Sequence, residues 1–235
     1  FARNDTVFGV WAWNGLTLPA TATGQPSRDA LTFPRRACIT TGLWEYISST
    51  RSDPFHRTRE TLVPKTPKIL LSGRPGSGKT TVIQVTLDRI DRDAAGFFTS
   101  EIRKGRKRTG FSLQLLSGEE HTLASVDFES PHRVSKYGVD IDVLDAVAVP
   151  EIERAIEDRR LLVVDEIGKM ELFSEAFQDA VERAFDSGIP ILGTILSKSH
   201  PFADRIRQRD DVEIVEVTES NRDRLPDRLA ERFAS

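Results

Sequence analysis

The stretch GRPGSGKT constrains the fold of this chain most strongly, because it follows the apolar run KILLS and precedes a helical pattern. It matches the spacing G-x-x-x-x-G-K-[ST]. Glycines in such a loop let backbone N–H groups converge on phosphate oxygens, and the N-terminus of the next helix adds positive charge. The sequence predicts a nucleotide-phosphate site formed by Gly73, Arg74, Pro75, Gly76, Ser77, Gly78, Lys79 and Thr80.

Two side chains of this loop have expected roles of their own. Lys79 is expected to reach the β and γ phosphates, and the hydroxyl of Thr80 is expected to ligate Mg²⁺. A glycine-rich turn that only connects a strand to a helix is the alternative. The strand before the loop and the helix after it favour the phosphate site.

Strand patterns alternate with helical patterns from Lys68 onward. The segments KILLSG, LLVVDE, PILGTIL and VEIVEV are typical of buried strands, while AGFFTSEIR and FSLQLL flank the turn KGRKRTG and predict a β-hairpin. HTLASVDF is a candidate for one further short strand. We therefore expect an α/β fold of the P-loop NTPase type, with a mostly parallel sheet, helices on both faces and an added β-hairpin. Such sheets bind ligands at the carboxyl ends of their strands.

The helical segments carry recognisable boundary signals. VLDAVAVPEIERAIEDR is an apolar-striped helix that Pro150 is expected to kink or to divide. FSEAFQDAVERAFDSG is amphipathic, with Ser174 as an N-terminal cap and Gly188 as a stop. PFADRIRQ predicts a short helix, and ESNRDRLPDRLAERF predicts the last one.

A second acidic element accompanies the loop and has the form of a Walker B strand. It comprises Leu161, Leu162, Val163, Val164, Asp165, Glu166, Ile167 and Gly168. Asp165 is expected to hold Mg²⁺ through a water. A carboxylate at Glu166 can orient or deprotonate an attacking water, which favours hydrolysis. Two solvated acids at a strand end are the alternative.

Composition divides the chain of 235 residues into two parts. Residues 1–66 contain all three tryptophans and the single cysteine, together with turn-rich segments, and are predicted to be a leader of low order. Residues 67–235 are predicted to be the P-loop NTPase domain. A net charge of -3 favours neither nucleic acid nor a membrane surface, and one cysteine suits a reducing compartment. We expect a cytoplasmic protein, and the sequence leaves its oligomeric state open.

Several segments together resemble one known family. GRPGSGKTT, GFFTSEIR, RTGFSLQLLSG, YGVDIDVLDAVAVPEIERA, LLVVDEIGKMELFSEAF and VTESNRDRLP follow one another in the order seen in the nucleoside-triphosphatase family known as THEP1. The resemblance runs from Lys68 to the C-terminus. It implies a RecA-like P-loop fold, Mg²⁺ as cofactor, and slow hydrolysis of ATP, GTP and other nucleoside triphosphates. It also implies that Gly73 to Thr80 and Leu161 to Gly168 form the site.

Other polar residues leave alternatives open. Lys169 follows the acidic strand and is a candidate catalytic cation for the γ-phosphate, or a local partner of Glu166 or Glu171. Arg103 and Arg108 flank the basic hairpin RKGRKR, where RNA binding is an alternative to a solvated turn. Arg103 is the better candidate for approaching nucleotide. Asn221 and Arg222 follow the last strand, near an expected base or ribose, although Asn221 also suits a helix cap.

Two other functions remain open at the level of sequence. A nucleoside or nucleotide kinase shares the phosphate loop, and ESPHRVSKYGVD is a candidate lid for such an enzyme. A nucleotide-controlled switch that binds RNA or protein would use the basic hairpin and the leader as contact surfaces. The carboxylate of Glu166 beside Asp165 favours water as the phosphate acceptor.

Overall fold

A nine-stranded sheet organises residues 66–234, the part of the chain that the structure, a computed structural model, describes. The strands are β1 (Lys68–Ser72), β2 (Ala94–Lys104), β3 (Lys107–Leu115), β4 (Glu120–Ser125), β5 (Arg133–Val134), β6 (Tyr137–Val139), β7 (Leu161–Ile167), β8 (Ile191–Ile195) and β9 (Glu213–Glu216). Their order is β5-β6-β4-β3-β2-β7-β8-β1-β9. The predicted leader, residues 1–66, lies outside the described residues apart from Thr66.

Five neighbouring strands, β2, β7, β8, β1 and β9, form the parallel part of the sheet. Successive residues of β7 are buried on opposite faces. Leu161 and Val163 belong to a core with Ile69 and Leu71, whereas Leu162 and Val164 belong to a second core. Both faces of the parallel strands are therefore covered, which explains their unbroken apolar sequences.

The helices cover the two faces of the sheet and contribute apolar side chains to both cores. They are α1 (Lys79–Leu87), the single turn α2 (Ile141–Val143), α3 (Val149–Glu157), α4 (Glu175–Asp186), α5 (Pro201–Arg207) and α6 (Leu225–Phe233). Helices α1 and α6 cover one face through residues such as Val82 and Leu229, and α3, α4 and α5 cover the other through residues such as Ile152, Phe177 and Phe202. The α/β class and helices on both faces are confirmed.

An antiparallel extension continues the sheet beyond β2. The predicted hairpin is formed by β2 and β3, and the candidate strand HTLASVDF contains β4. The segment that sequence suggested as a lid contains β5 and β6, a small hairpin paired to β4 at the end of the sheet. The antiparallel part thus contains the predicted hairpin and the candidate strand, and β5 and β6 extend it further.

Helix boundaries follow the local signals in most places. Ser174 caps α4, because its Oγ accepts a hydrogen bond of 2.9 Å from the N–H of Phe177, and Gly188 follows the helix with φ of 76°. Pro150 lies in the first turn of α3, where its missing N–H is tolerated. A π-helical turn, Leu144–Ala148, joins α2 to α3 without interruption, so Pro150 does not divide the helix and the irregular turn comes before it.

The last helix begins later than the sequence predicted. It starts at Leu225, and no side chain caps its first turn. Asn221 instead closes the preceding loop, because its Oδ1 accepts from the N–H of Thr218 at 2.8 Å and its Nδ2 donates to the carbonyl of Glu216 at 2.8 Å. These two hydrogen bonds hold the loop after β9 in a turn.

The parallel arrangement places the ends of β1, β7 and β8 at one edge of the sheet, where the predicted site residues lie. None of the helices in residues 66–234 is long and apolar enough to cross a membrane.

Candidate active site

The phosphate loop joins the end of β1 to α1. Gly73 has φ of 146°, and a Cβ at this position would lie 2.7 Å from the carbonyl oxygen of Val217. A side chain here would collide with the backbone that follows β9, so glycine is required. Gly78, with φ of 99°, turns the chain into α1.

Two polar side chains of the loop face inward. The ammonium of Lys79 lies across the loop and donates to the carbonyls of Gly73 and Arg74 at 3.3 and 3.4 Å. The hydroxyl oxygen of Ser77 is buried and has no hydrogen-bond partner. An unpaired buried hydroxyl is costly, and a phosphate oxygen at the loop is the kind of group that would satisfy it.

Asp165 connects the acidic strand to the phosphate loop. Its side chain is 3% exposed, and its Oδ2 accepts a hydrogen bond of 2.5 Å from the hydroxyl of Thr80. Its Oδ1 accepts a bond of 2.6 Å from the hydroxyl of Thr194 on β8. Burial raises the pKa of Asp165, while the two hydrogen bonds and the charge of Lys79 oppose that rise. The two predicted metal ligands therefore meet at one point.

A cleft of about 290 Å³ begins at the phosphate loop and runs in front of the acidic strand. Lys79 and Glu166 both line it. Burial raises the pKa of Glu166, the positive charge of Lys79 lowers it, and the negative charge of Asp165 raises it again. The cleft therefore brings the carboxyl group of Glu166 and the ammonium of Lys79 to one space.

A second carboxyl group, that of Glu171, lines the same cleft. Its side chain is 1% exposed, and its Oε1 accepts a hydrogen bond of 3.2 Å from the hydroxyl of Thr99 on β2. Burial and the neighbouring charge of Glu166 raise the pKa of Glu171 to about 8. The cleft is therefore lined by two adjacent carboxyl groups that differ in their surroundings.

Two further lysines reach the cleft from exposed positions. Lys169 follows β7 and Lys198 follows β8. In the described part of the chain, Lys169 forms no ion pair with Glu166 or Glu171, the partners that the sequence suggested. Together with Lys79, Lys169 and Lys198 make three lysines that line the cleft.

The basic hairpin adjoins this cleft, because Arg108 lies over the ring of Phe111, which lines it. Arg103 and Arg108 both bind the carboxylate of Glu101, and Arg108 also donates to the hydroxyl of Tyr137 at 3.0 Å. Neither arginine lines the cleft. Hydrogen bonding by Arg108 lowers the pKa of Glu101, as expected for an ion pair at a strand end.

Arg222 lies on another side of the phosphate loop. It lines a second cavity of about 390 Å³ together with Gly78, Thr81 and Pro226. Its Cδ lies 3.5 Å from where a Cβ on Gly78 would be. Asn221 does not line this cavity, and its amide is engaged in the loop described above.

Five polar residues of the site were not predicted: Thr99, Glu171, Thr194, Ser197 and Lys198. Thr194 has a weak signal, since it is a hydroxyl residue in the apolar strand PILGTIL. Glu171 is separated from β7 by a turn, and nothing in its spacing indicates that it returns to the cleft. Thr99 is brought to the site only by the pairing of β2 with β7.

A glycine-rich loop at the end of one parallel strand, facing an aspartate at the end of another, defines a P-loop NTPase. A family model described as NTPase matches residues 68–230. The chain belongs to the THEP1-type nucleoside-triphosphatase family.

Its relatives support this membership over most of their length. The nucleoside-triphosphatase THEP1 of Thermotoga maritima is 48% identical over 158 residues, which are 67% of this chain and 90% of the relative. The crystal structure of THEP1 from Aquifex aeolicus is 33% identical with a TM-score of 0.66, and covers 72% of this chain and 99% of its own. The solution structure of a human cancer-related nucleoside triphosphatase is 38% identical with a TM-score of 0.63 and the same coverage.

Proposed function

We propose that this chain hydrolyses nucleoside triphosphates to nucleoside diphosphate and phosphate, with Glu166 as the base that activates water. The observation that carries this proposal is the position of Glu166, which lines the same cleft as Lys79 directly beyond the phosphate loop. A water held by Glu166 would face the terminal phosphate. Membership of the nucleoside-triphosphatase family supports the same reaction.

The residues present also fit a Mg²⁺ ion. The hydroxyl of Thr80 and the carboxylate of Asp165 approach each other to 2.5 Å, and both are hard oxygen ligands of the type that Mg²⁺ prefers. Thr80 and Asp165 would hold the ion, with the hydroxyl of Thr194 fixing the carboxylate from its other side. A bound Mg²⁺ would neutralise negative charge on the phosphates.

The chain's own groups account for the proton and for the phosphate charge. As the water oxygen bonds to the γ-phosphorus, its proton passes to Glu166 and the bond from phosphorus to the β–γ bridging oxygen breaks. Lys79 stabilises the β and γ phosphate oxygens. Lys169 and Lys198 supply further positive charge at the outer end of the cleft, and Lys169 is the closer of the two to Glu166 in sequence.

The second cavity suits the base and ribose of the nucleotide. Its apolar lining is Val82, Val85 and Pro226, and its polar lining is Thr81, Arg89, Arg222 and Asp223. The apolar residues can bind any base by contact area. The relatives' name, nucleoside-triphosphatase, specifies no base, and we assign broad base specificity, including ATP and GTP, to this site. The cytoplasm, which supplies these nucleotides, is the compartment we propose.

A phosphate-release assay on the full chain with a panel of nucleoside triphosphates and Mg²⁺ tests this proposal. Phosphate should be released from ATP and GTP at similar rates, and Lys79→Ala should abolish release because the γ-phosphate loses its main cation. If Lys79→Ala hydrolyses ATP at the parental rate, the assignment of the site is wrong.

One observation favours testing a kinase activity as well. Val134, in the small β5–β6 hairpin, lines the cleft, so the segment that sequence suggested as a lid does reach the site. Its arginine does not, because Arg133 donates to the carbonyls of Phe128 and Lys136 within its own hairpin. Incubation with γ-labelled ATP and nucleosides should therefore yield labelled phosphate and no labelled nucleotide.

A further inference from the structure

Glu171 occupies an unusual place for a glutamate. It begins a 3₁₀ turn, Glu171–Phe173, that follows β7, and its side chain is 1% exposed. Residues of this type are rarely so buried unless a cation pairs with them. In the described part of the chain no lysine or arginine pairs with Glu171, and its side-chain partner is the hydroxyl of Thr99 at 3.2 Å.

The carboxyl group of Glu171 converges with that of Glu166 above Gly168. A Cβ on Gly168 would lie 2.9 Å from Oε2 of Glu171 and 3.0 Å from Oε1 of Glu166. Any side chain at Gly168 would thus separate the two groups. Because Gly168 has no side chain, both carboxyl groups can line the same cleft.

A second buried glutamate shows that this arrangement is not a general feature of the fold. Glu151, in α3, is 4% exposed and is bound by the guanidinium of Arg154, while one of its oxygens accepts from the N–H of Gly96 at 3.3 Å. Glu151 has a cation and does not line the cleft. Glu171 has a hydroxyl as its partner and faces the site.

We propose that Glu171 orients the attacking water together with Glu166, by hydrogen bonding to that water without taking its proton. This inference rests on the proposed function, in which Glu166 accepts the proton. Two hydrogen-bonding groups fix the direction of a water more narrowly than one does, and correct orientation lowers the barrier to attack. Thr99 supports the role indirectly, because its hydroxyl holds Oε1 and leaves Oε2 toward Glu166.

The environment of Glu171 agrees with a neutral hydrogen-bonding group. Burial, together with the negative charge of Glu166, raises the pKa of Glu171 to about 8, whereas the hydrogen bond from Thr99 lowers it in part. A carboxyl group that keeps its proton at neutral pH can donate as well as accept a hydrogen bond. A glutamine, which also donates and accepts, is therefore a close substitute for it.

Steady-state hydrolysis of MgATP by Glu171→Gln and Glu171→Leu tests the proposal. Glu171→Leu should lower kcat on the order of 10-fold to 100-fold with KM unchanged, because the nucleotide contacts lie elsewhere. Glu171→Gln should remain within about 3-fold of the parental kcat, since it keeps hydrogen bonding. A parental kcat in Glu171→Leu, or an equal loss in both variants, overturns the proposal.

Thr99→Val keeps the proposal testable if Glu171→Leu does not fold. It removes only the hydroxyl that holds Oε1, and should lower kcat on the order of 3-fold to 10-fold with KM unchanged. In that case a parental kcat in Thr99→Val overturns the proposal. Glu151→Gln is the matched control, a buried glutamate away from the cleft, and it should keep the parental kcat whatever it does to thermal stability.

Glu166→Gln in the same assay separates this inference from the proposed function. If Glu166→Gln loses turnover and Glu171→Leu does not, hydrolysis through Glu166 stands and the role of Glu171 is rejected. If neither substitution affects turnover, both are rejected. Loss in both variants, with rescue by Glu171→Gln, supports both.

Discussion

The two ends of strand β1 hold buried charge in opposite ways. At its start, the ammonium of Lys68 is 7% exposed and binds the carboxylate of Asp211 and the carbonyl of Phe185, each at 2.5 Å. Beyond its end lie the carboxyl groups of Asp165, Glu166 and Glu171, of which the last two line the cleft. The charge of Lys79 acts on Asp165 and Glu166.

The carboxyl groups of the two regions shift in opposite directions. Burial alone would raise the pKa of Asp211, but hydrogen bonds and charge from Arg209 and Lys68 lower it to about 2. Burial raises the pKa of Asp165, Glu166 and Glu171. The first region stabilises the charged form of its acid, and the second destabilises it. A buried group that weakens the fold suggests a role in binding or chemistry.

Loss of the carboxylate at Glu166 should give the largest effect on activity. Glu166→Gln keeps the shape of the side chain and removes the base, so the chemical step should slow on the order of 10²-fold to 10⁴-fold while MgATP binding stays near normal. Single-turnover hydrolysis and nucleotide binding measure these separately.

Asp165→Asn is the contrasting variant for that experiment. It weakens a metal ligand and should raise the Mg²⁺ concentration needed for activity. Parental turnover in Glu166→Gln together with complete loss in Lys169→Ala would show that another group orients the water, although the nucleotide site would stand.

The pH dependence of stability should differ between the two regions. Glu171 binds its proton more tightly when folded, so its contribution is complete below about pH 4.5 and is lost as pH rises toward 8. Glu171→Gln should therefore gain stability relative to the parent, on the order of 3 kcal/mol, between pH 5 and pH 8. Denaturant unfolding at the two pH values measures the free energy of unfolding of each protein. An equal change in that free energy from pH 5 to pH 8 in both proteins would contradict the prediction.

Asp211 should show the opposite sign. Its pKa is lower when folded, so its contribution is present above about pH 3.8 and is lost as pH falls toward 2. Asp211→Asn at pH 7 keeps an oxygen that can accept from Lys68 but removes the negative charge, so the buried ammonium loses its ionic partner. This should lower the free energy of unfolding by about 2 kcal/mol without changing kcat.

An exposed ion pair provides the control for Asp211. Glu213 and Arg232 lie 2.9 Å apart, with side chains 47% and 53% exposed. Glu213→Gln should change the free energy of unfolding by less than about 1 kcal/mol, because exposed pairs contribute little. Equal losses in the two variants would mean that burial does not strengthen the Lys68–Asp211 pair.

Local sequence predicted the parts of this molecule that depend on local chemistry. The glycine pattern located the phosphate loop, the apolar runs located the parallel strands, and Ser174 located the start of α4. Contacts between side chains on neighbouring strands could not be predicted from the sequence. Thr99 meets Glu171 only because β2 pairs with β7, and Thr194 meets Asp165 only because β8 pairs with β7.

The predicted start of the last helix was wrong for a related reason. The helical pattern of the segment was real, but the side chain of Asn221 bonds to the backbone of Thr218 and Glu216 and keeps residues 219–224 in a turn. Asparagine competes with helix formation in this way because its amide can replace backbone partners. The sequence pattern alone does not show whether these residues form a helix or a turn closed by the asparagine.

Of the variants that act on the proposed metal site, Thr194→Val should give the smallest effect, and it tests how Asp165 is held in place. Thr194 is fully buried, and its hydroxyl donates to Oδ1 of Asp165 at 2.6 Å. Valine has nearly the same shape, so the substitution removes one hydrogen bond to a charged group, about 1.5–3 kcal/mol. The pKa of Asp165 should rise further, since one of the bonds that oppose burial is lost.

The measurable consequence of Thr194→Val is a weaker hold on the metal. The Mg²⁺ concentration at half-maximal activity should rise about 3-fold to 10-fold, because Thr80 alone then orients the carboxylate. Thr86→Val is the matched control, since Thr86 is equally buried and donates to the carbonyl of Val82 within α1 at 2.7 Å. It should leave the Mg²⁺ dependence unchanged. If both threonine variants shift that dependence alike, the shift reflects loosened packing around the site, and Thr194 has no particular role in orienting Asp165.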